Sequence, residues 1–174
     1  MMQQLDAEQL RRTLRRLSHE IIERTADLSD LVFIGVRTRG VPLAERLARE
    51  LQSLVGVHPL VGALDVTLYR DDLNQAGGGR TGLKKTDLPF SCEGKDVVLV
   101  DDVLYTGRTA RAALAALMGF GRPRRVRLAI LVDRGGRELP IRADFVGKNI
   151  EAVHPEEVRV HLEETDGQDA VFKR

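Results

Sequence analysis

The segment Val97-Val-Leu-Val-Asp101-Asp102-Val-Leu-Tyr-Thr106-Gly107-Arg108-Thr109 constrains the fold of this chain more than any other. Four successive apolar residues specify a strand buried on both faces, the environment of a parallel sheet. Two acids and a Tyr-Thr-Gly turn follow, and then a helix-periodic stretch over 108–119. The pattern recurs along the chain. Residues 6–28 read as an amphipathic helix, with Leu10, Leu14, Leu17 and Ile21 on one stripe. The run 31–36 reads as a strand, 37–40 as a turn, 41–54 as a helix, 60–69 as an alternating strand and 125–133 as a further strand. Strands alternating with helices predict an α/β fold with a parallel sheet flanked by helices. The less periodic tail, with strand-like runs near 145 and over 158–162, reads as a small hood. A single domain over 1–174 is expected, with the hood at about 133–165.

Composition removes several classes. A chain of 174 residues with 43% hydrophobic and 30% charged residues can bury one core and is neither disordered nor collagen-like. No apolar run approaches a membrane span, and the start MMQQLDAEQLRR lacks a basic stretch followed by an apolar one, so neither membrane insertion nor secretion is expected. The lone Cys92 suits a reducing cytoplasm. A net charge of +1 disfavours a globally basic nucleic-acid binder. Yet 22 of the 27 basic residues are Arg, whose planar fork grips phosphate as Lys does not, so their placement carries the information.

Residues 70–90, rich in acids, glycine and lysine, read as a long polar loop. Gly77-Gly-Gly79-Arg-Thr-Gly82 matches a dinucleotide-binding pattern literally but does not join a strand to a helix, so it reads as a hinge. The four histidines lack metal-ligand spacing. At the carboxyl end of a parallel strand, a glycine turn entering a helix offers unpaired amides and a positive helix end to a phosphate. Thr106 and Thr109 add hydroxyl donors. Asp101 and Asp102 do not help a phosphate. They suit ribose hydroxyls or a magnesium shell, which points to a phosphorylated sugar. Asp102 as a simple cap is the plainer alternative.

This stretch resembles the 5-phosphoribosyl-1-pyrophosphate (PRPP) signature of the type I phosphoribosyltransferases. Ile34-Gly-Val-Arg-Thr-Arg-Gly40, Leu68-Tyr-Arg-Asp-Asp72, Val132-Asp-Arg-Gly-Gly-Arg-Glu-Leu-Pro140 and Ile141-Arg-Ala-Asp-Phe-Val-Gly-Lys-Asn-Ile150 extend the likeness. They are similar to the branch of bifunctional pyrimidine-operon attenuation regulators and uracil phosphoribosyltransferases. The resemblance implies conversion of uracil and PRPP to UMP and pyrophosphate, with Mg2+ as cofactor. Asp101 and Asp102 would take the ribose hydroxyls and hold the magnesium, directly or through water. Val103, Leu104, Tyr105, Thr106, Gly107, Arg108 and Thr109 would cradle the 5-phosphate. Thr38, Arg39 and Gly40 would form the pyrophosphate loop, with Arg39 counted beside the two acids as catalytic. Tyr69, Arg70, Asp71 and Asp72 would begin a flexible flap over 70–90, and Val132, Asp133 and Val158 would meet the base.

The same resemblance implies a leader-RNA hairpin as partner, with UMP as coregulator, on a face made by Arg15, Arg16, His19, Arg24, Arg137, Arg142 and Lys148. The chain departs from the branch at Gly136, where His is frequent, and at Arg15, where a hydroxyl residue occurs. A homodimer or higher oligomer in the cytoplasm is expected. The alternatives are a purine-base phosphoribosyltransferase and a non-catalytic nucleotide sensor that binds RNA. An intact Thr38-Arg39-Gly40 loop argues against the sensor.

Overall fold

The structure, a computed structural model, describes residues 1–71 and 85–174. A five-stranded parallel sheet in the order β3-β2-β4-β5-β6 forms its centre. Its strands are β2 (Leu31–Val36), β3 (Leu60–Leu64), β4 (Asp96–Leu104), β5 (Arg125–Asp133) and β6 (Phe145–Asn149). Side chains alternate across it, as a sheet covered on both faces demands. Phe33, Val98, Val100, Ala129 and Leu131 face one core, which α1 (Ala7–Glu23) and α2 (Gly40–Val55) complete through Leu10, Leu14, Leu17, Ile21, Leu43, Leu47 and Leu51. Val32, Ile34, Val97, Leu99 and Ile130 face the other, against Ala112, Ala113, Ala116 and Leu117 of α3 (Arg108–Leu117).

The first helix is set by its ends. Asp6 accepts the Gln9 amide at 2.8 Å while the Gln9 side chain accepts the Asp6 amide at 3.0 Å, a reciprocal capping box. It ends at Glu23 rather than near 28. Thr25 turns its hydroxyl back to the Ile21 carbonyl at 2.6 Å, and Asp27 opens a separate 3-10 turn over Leu28–Asp30. The expected strand over 60–69 likewise stops at Leu64, because Asp65 accepts the Thr67 amide at 3.0 Å and starts a 3-10 turn over Thr67–Tyr69.

The hood differs from its expected boundaries. The run near 145 is β6, an edge strand of the central sheet paired with Ala129–Asp133 of β5, and not part of the hood. The hood is a separate antiparallel sheet in the order β1-β8-β7, from β1 (Met2–Leu5), β7 (Val158–His161) and β8 (Ala170–Lys173), with the short α4 (Glu163–Asp166) between the last two. It draws on both ends of the described chain. No helix among the described residues is long and apolar enough to cross a membrane.

Candidate active site

The site lies at the carboxyl ends of β2 and β4. Strand β4 does not stop at the acids. Asp101 pairs with Ile130, and Val103 and Leu104 pair with Val132 and Asp133, so both carboxylates project from a rigid strand. Each accepts the next backbone amide, Asp102 N–H to Asp101 at 2.9 Å and Val103 N–H to Asp102 at 2.8 Å. Burial and the neighbouring Asp102 charge push Asp101 well above the ordinary carboxylate range, with Arg70 in the opposite direction.

The turn after β4 is built by Thr106 and Gly107. The Thr106 carbonyl accepts the amides of Glu138 at 2.9 Å and Leu139 at 3.1 Å, which ties the turn to the loop after β5. Gly107 stands at φ +94°, a conformation that L side chains rarely adopt, and as the cap residue it offers α3 no side chain; the Thr106 hydroxyl accepts the Arg108 amide at 3.3 Å. The start of α3 therefore presents its amides and positive end to the turn. Arg108 pairs with Glu138 at 2.9 Å and with Asp71, and Arg111 holds the Tyr69 carbonyl at 2.6 Å. These contacts fix the described start of the expected flap against α3. Asp72 lies outside the described residues, as does the hinge expected at 77–82.

The loop from β2 to α2 packs on β4 at the start of the acid pair. Its Arg37–Thr38 peptide is cis. Gly40 packs so closely on β4 that an added Cβ would lie 2.3 Å from the Val100 carbonyl oxygen, so the loop and the acids share one backbone contact. Arg39 and Asp102 line a cavity of about 350 Å³ whose remaining wall is Val158, Arg159, Val160 and His161 of the hood. The structure thus brings Arg39, Asp102 and Val158 together.

Of the three residues expected at the base, Val132 is corrected, and Asp133 is engaged within the chain. Val132 is fully buried in the core shared with α1 and α2, because its place inside β5 points it away from any opening. The Asp133 carboxylate is taken by the Gly135 amide at 2.9 Å and by the Arg137 guanidinium. Sequence reasoning missed Arg134, whose buried guanidinium lies 3.9 Å from the Tyr105 ring centroid, and His161 and Asp166, which carry no local motif. Gly136 packs beneath the same ring. A Cβ there would lie 2.5 Å from Tyr105 Cε2, so Tyr105 in this position requires the small residue.

The expected RNA face divides. Arg16 bonds to Glu20 and to the carbonyl of Gly147, Arg24 reaches the Asp144 carbonyl at 2.7 Å, and Lys148 reaches the Gln4 carbonyl at 2.8 Å. Arg15 pairs with Glu50 at 3.3 Å, and His19 is exposed. These five surround α1 and β6. Arg142 is exposed in the loop before β6. Arg137 instead binds the carbonyls of Tyr105 at 2.8 Å and Ile141 at 3.0 Å, beside the turn after β4.

Among the described residues no group of three metal-ligating side chains stands together. The donor set that does exist, two adjacent carboxylates at a strand end, suits a hard cation that takes its remaining ligands from substrate oxygens and water.

These features define a phosphoribosyltransferase, and residues 2–164 match the family model of the phosphoribosyl transferase domain, so the chain belongs to that family. Its curated relatives place it in the PyrR branch. It is 57% identical over 167 residues to the bifunctional protein PyrR of Chloroflexus aurantiacus, covering 96% of this chain and 91% of that one. Identity to the bifunctional protein PyrR of Thermus thermophilus is 55%, over 96% and 92% of the two chains. Among solved structures, the hypoxanthine phosphoribosyltransferase of Trypanosoma cruzi superposes with a TM-score of 0.73 at 19% identity, over 99% of this chain and 95% of that one. A hypoxanthine-guanine phosphoribosyltransferase of Bacillus anthracis gives 0.70 at 18%, over 98% and 96%. At those identities the likeness establishes the fold.

Proposed function

We propose that the chain transfers the phosphoribosyl group of PRPP to uracil, giving UMP and pyrophosphate, and that bound uridine nucleotide promotes its attachment to a pyrimidine-operon leader RNA hairpin. The observation that carries the reading is the Asp101–Asp102 pair near the end of β4, followed at once by the Thr106–Gly107 turn into α3, with Asp102 sharing a cavity with Arg39. The ribose 5-phosphate sits on the turn, the hydroxyls on the acids and the diphosphate at Thr38, Arg39 and Gly40. The base lies against Val158 and its neighbours in β7. Relatives named bifunctional PyrR over nearly their whole length support both halves, and the purine and sensor alternatives are not favoured.

Cleavage at the anomeric carbon passes through a cation-like sugar, as in glycoside cleavage. The chain's own residues orient the ribose, hold the phosphate, present Arg39 to the departing negative charge and wall off water with the hood. Asp101 and Asp102 would hold Mg2+, which supplies further positive charge to the diphosphate. No protein nucleophile is required.

For RNA, Arg16, Arg24 and Lys148 support a fixed phosphate-gripping surface, because backbone carbonyls already hold them in place. An assembly of at least two copies would widen that surface, and cytoplasmic RNA is its target.

Full-length protein incubated with PRPP, Mg2+ and uracil should yield UMP and pyrophosphate. Turnover of hypoxanthine or guanine in place of uracil overturns the base assignment. A leader hairpin should bind more tightly with UMP present and more weakly as salt rises, and Arg16→Ala should weaken it about tenfold. An affinity indifferent to UMP and to Arg16→Ala overturns the RNA half.

A further inference from the structure

Arg39 is met from across the cavity by the hood. Its Nε donates to Asp166 Oδ2 at 3.1 Å and its Nη2 to Asp166 Oδ1 at 2.7 Å, a two-pronged fork. Asp166 is itself anchored. It closes α4, and Oδ2 also accepts the Leu162 amide at 2.9 Å and the Thr165 hydroxyl at 2.7 Å. Two turns further along α2, Arg46 is gripped separately by Glu164 and Asp169, with contacts of 2.6–2.8 Å. The hood is therefore fastened to α2 at two points, and only one of them is a residue of the pyrophosphate loop.

We propose that Asp166 is a positioning residue for the pyrophosphate half of the reaction: it fixes the Arg39 guanidinium so that the edge left over meets the diphosphate. The inference rests on the phosphoribosyl-transfer reading above. A guanidinium carries five N–H donors in a rigid plane, and Asp166 occupies two of them. Among the described residues no hydrogen bond engages Nη1, and Arg39 lines the cavity opposite Asp102. A free arginine loses rotamer freedom when it captures an anion, whereas one already held on its far edge does not. The guanidinium in turn holds the Asp166 carboxyl well below the ordinary range, so the acid stays ionised at neutral pH. Were Asp166 instead a competitor for Arg39, its removal would tighten pyrophosphate binding, so the two roles differ in sign.

The test uses the full-length protein with three readouts: the Kd of pyrophosphate in the presence of Mg2+, the Kd of UMP, and the KM and kcat with PRPP. Asp166→Asn keeps an oxygen for the Leu162 amide and removes the charge from Arg39. Pyrophosphate Kd and PRPP KM should each rise about tenfold, the scale of one charge-assisted hydrogen bond. UMP, which has no diphosphate, should bind within about twofold of wild type, and kcat should change less than KM. Glu164→Gln loosens the second fastening without touching Arg39 and should leave pyrophosphate binding as it was. Unchanged or tighter pyrophosphate binding by Asp166→Asn overturns the proposal, and so does an equal loss in Glu164→Gln, which would mean general loosening of the hood. If Asp166→Asn fails to fold, Asp166→Glu replaces it, with a smaller loss expected and no loss overturning the idea. Wild-type protein that binds neither PRPP nor pyrophosphate removes the underlying reading, a result distinct from normal wild-type binding with an insensitive variant.

Discussion

Gly40 shows how one hydrogen in place of a side chain sets the distance between two halves of the site. Its α-carbon lies against the Val100 carbonyl and the Asp101 α-carbon, so Arg39 and the acid pair are spaced by a backbone contact. Gly40→Ala has to push α2 away from β4, and overpacking of this kind costs about 3 kcal/mol, to be measured by denaturant unfolding. PRPP affinity should fall with stability in that variant. At this scale the strand, its two acids and the glycine turn into α3 were legible in the sequence, because the four features are consecutive in the chain. Val132 was misassigned, and the partners of Asp133 went unseen, for the complementary reason. Their surroundings are set by α1, α2 and Arg137, which only the tertiary structure brings to them. Asp166 was invisible on the same ground, since its partner lies 127 residues away.

Among the elements, β4 was read short. Its apolar residues announce a strand, but the extension through Leu104 depends on pairing with β5, which polar residues in isolation do not advertise. β1 and β8, four residues each, are too brief to show periodicity and take their form from each other. The opposite end of β4 carries a buried charge that constrains the sheet. Asp96 is 1% exposed and receives Arg125 at 2.6 Å and the buried Arg127 at 3.3 Å. Removing either side has unequal consequences. Arg127→Met leaves Asp96 with Arg125, whereas Asp96→Ala strands the Arg127 cation on the Arg24 carbonyl and the Thr25 hydroxyl. Asp96→Ala should therefore cost about 3–5 kcal/mol and Arg127→Met clearly less, as compared by urea unfolding of the two variants.

Over the whole molecule, the near-zero net charge conceals a division of labour. Acids gather at the end of β4 and in the hood turn, while arginines gather on α1, in the loop after β2 and along α2. The fastening of hood to α2 makes stability depend on pH. Glu164 and Asp169 are held below their ordinary range mainly by hydrogen bonds from Arg46, and Asp166 by those from Arg39. The unfolded chain therefore takes up protons first as pH falls below about 4.5, while the folded chain resists. The stabilisation is complete above that range and is lost as pH drops through the lower folded values. Thermal melts should show Arg46→Ala below wild type at neutral pH, with the gap closing as pH falls from about 4.5 toward 2.

The order β1-β8-β7 in the hood also has a consequence in time. β8 is hydrogen-bonded on both sides, so neither β1 nor β7 has a partner in that sheet until residues 170–173 have been made. On the ribosome, β1 emerges before the other strands and waits for β8 to be made, on the order of ten seconds at ordinary elongation rates. The five-stranded sheet and the turn after β4 can assemble during that wait, but the wall formed by Val158–His161 cannot be locked in place. A nascent chain stalled before residue 170 would therefore carry Arg39 and Asp102 without the cavity wall that faces them, and the pocket would close only after translation has passed β8.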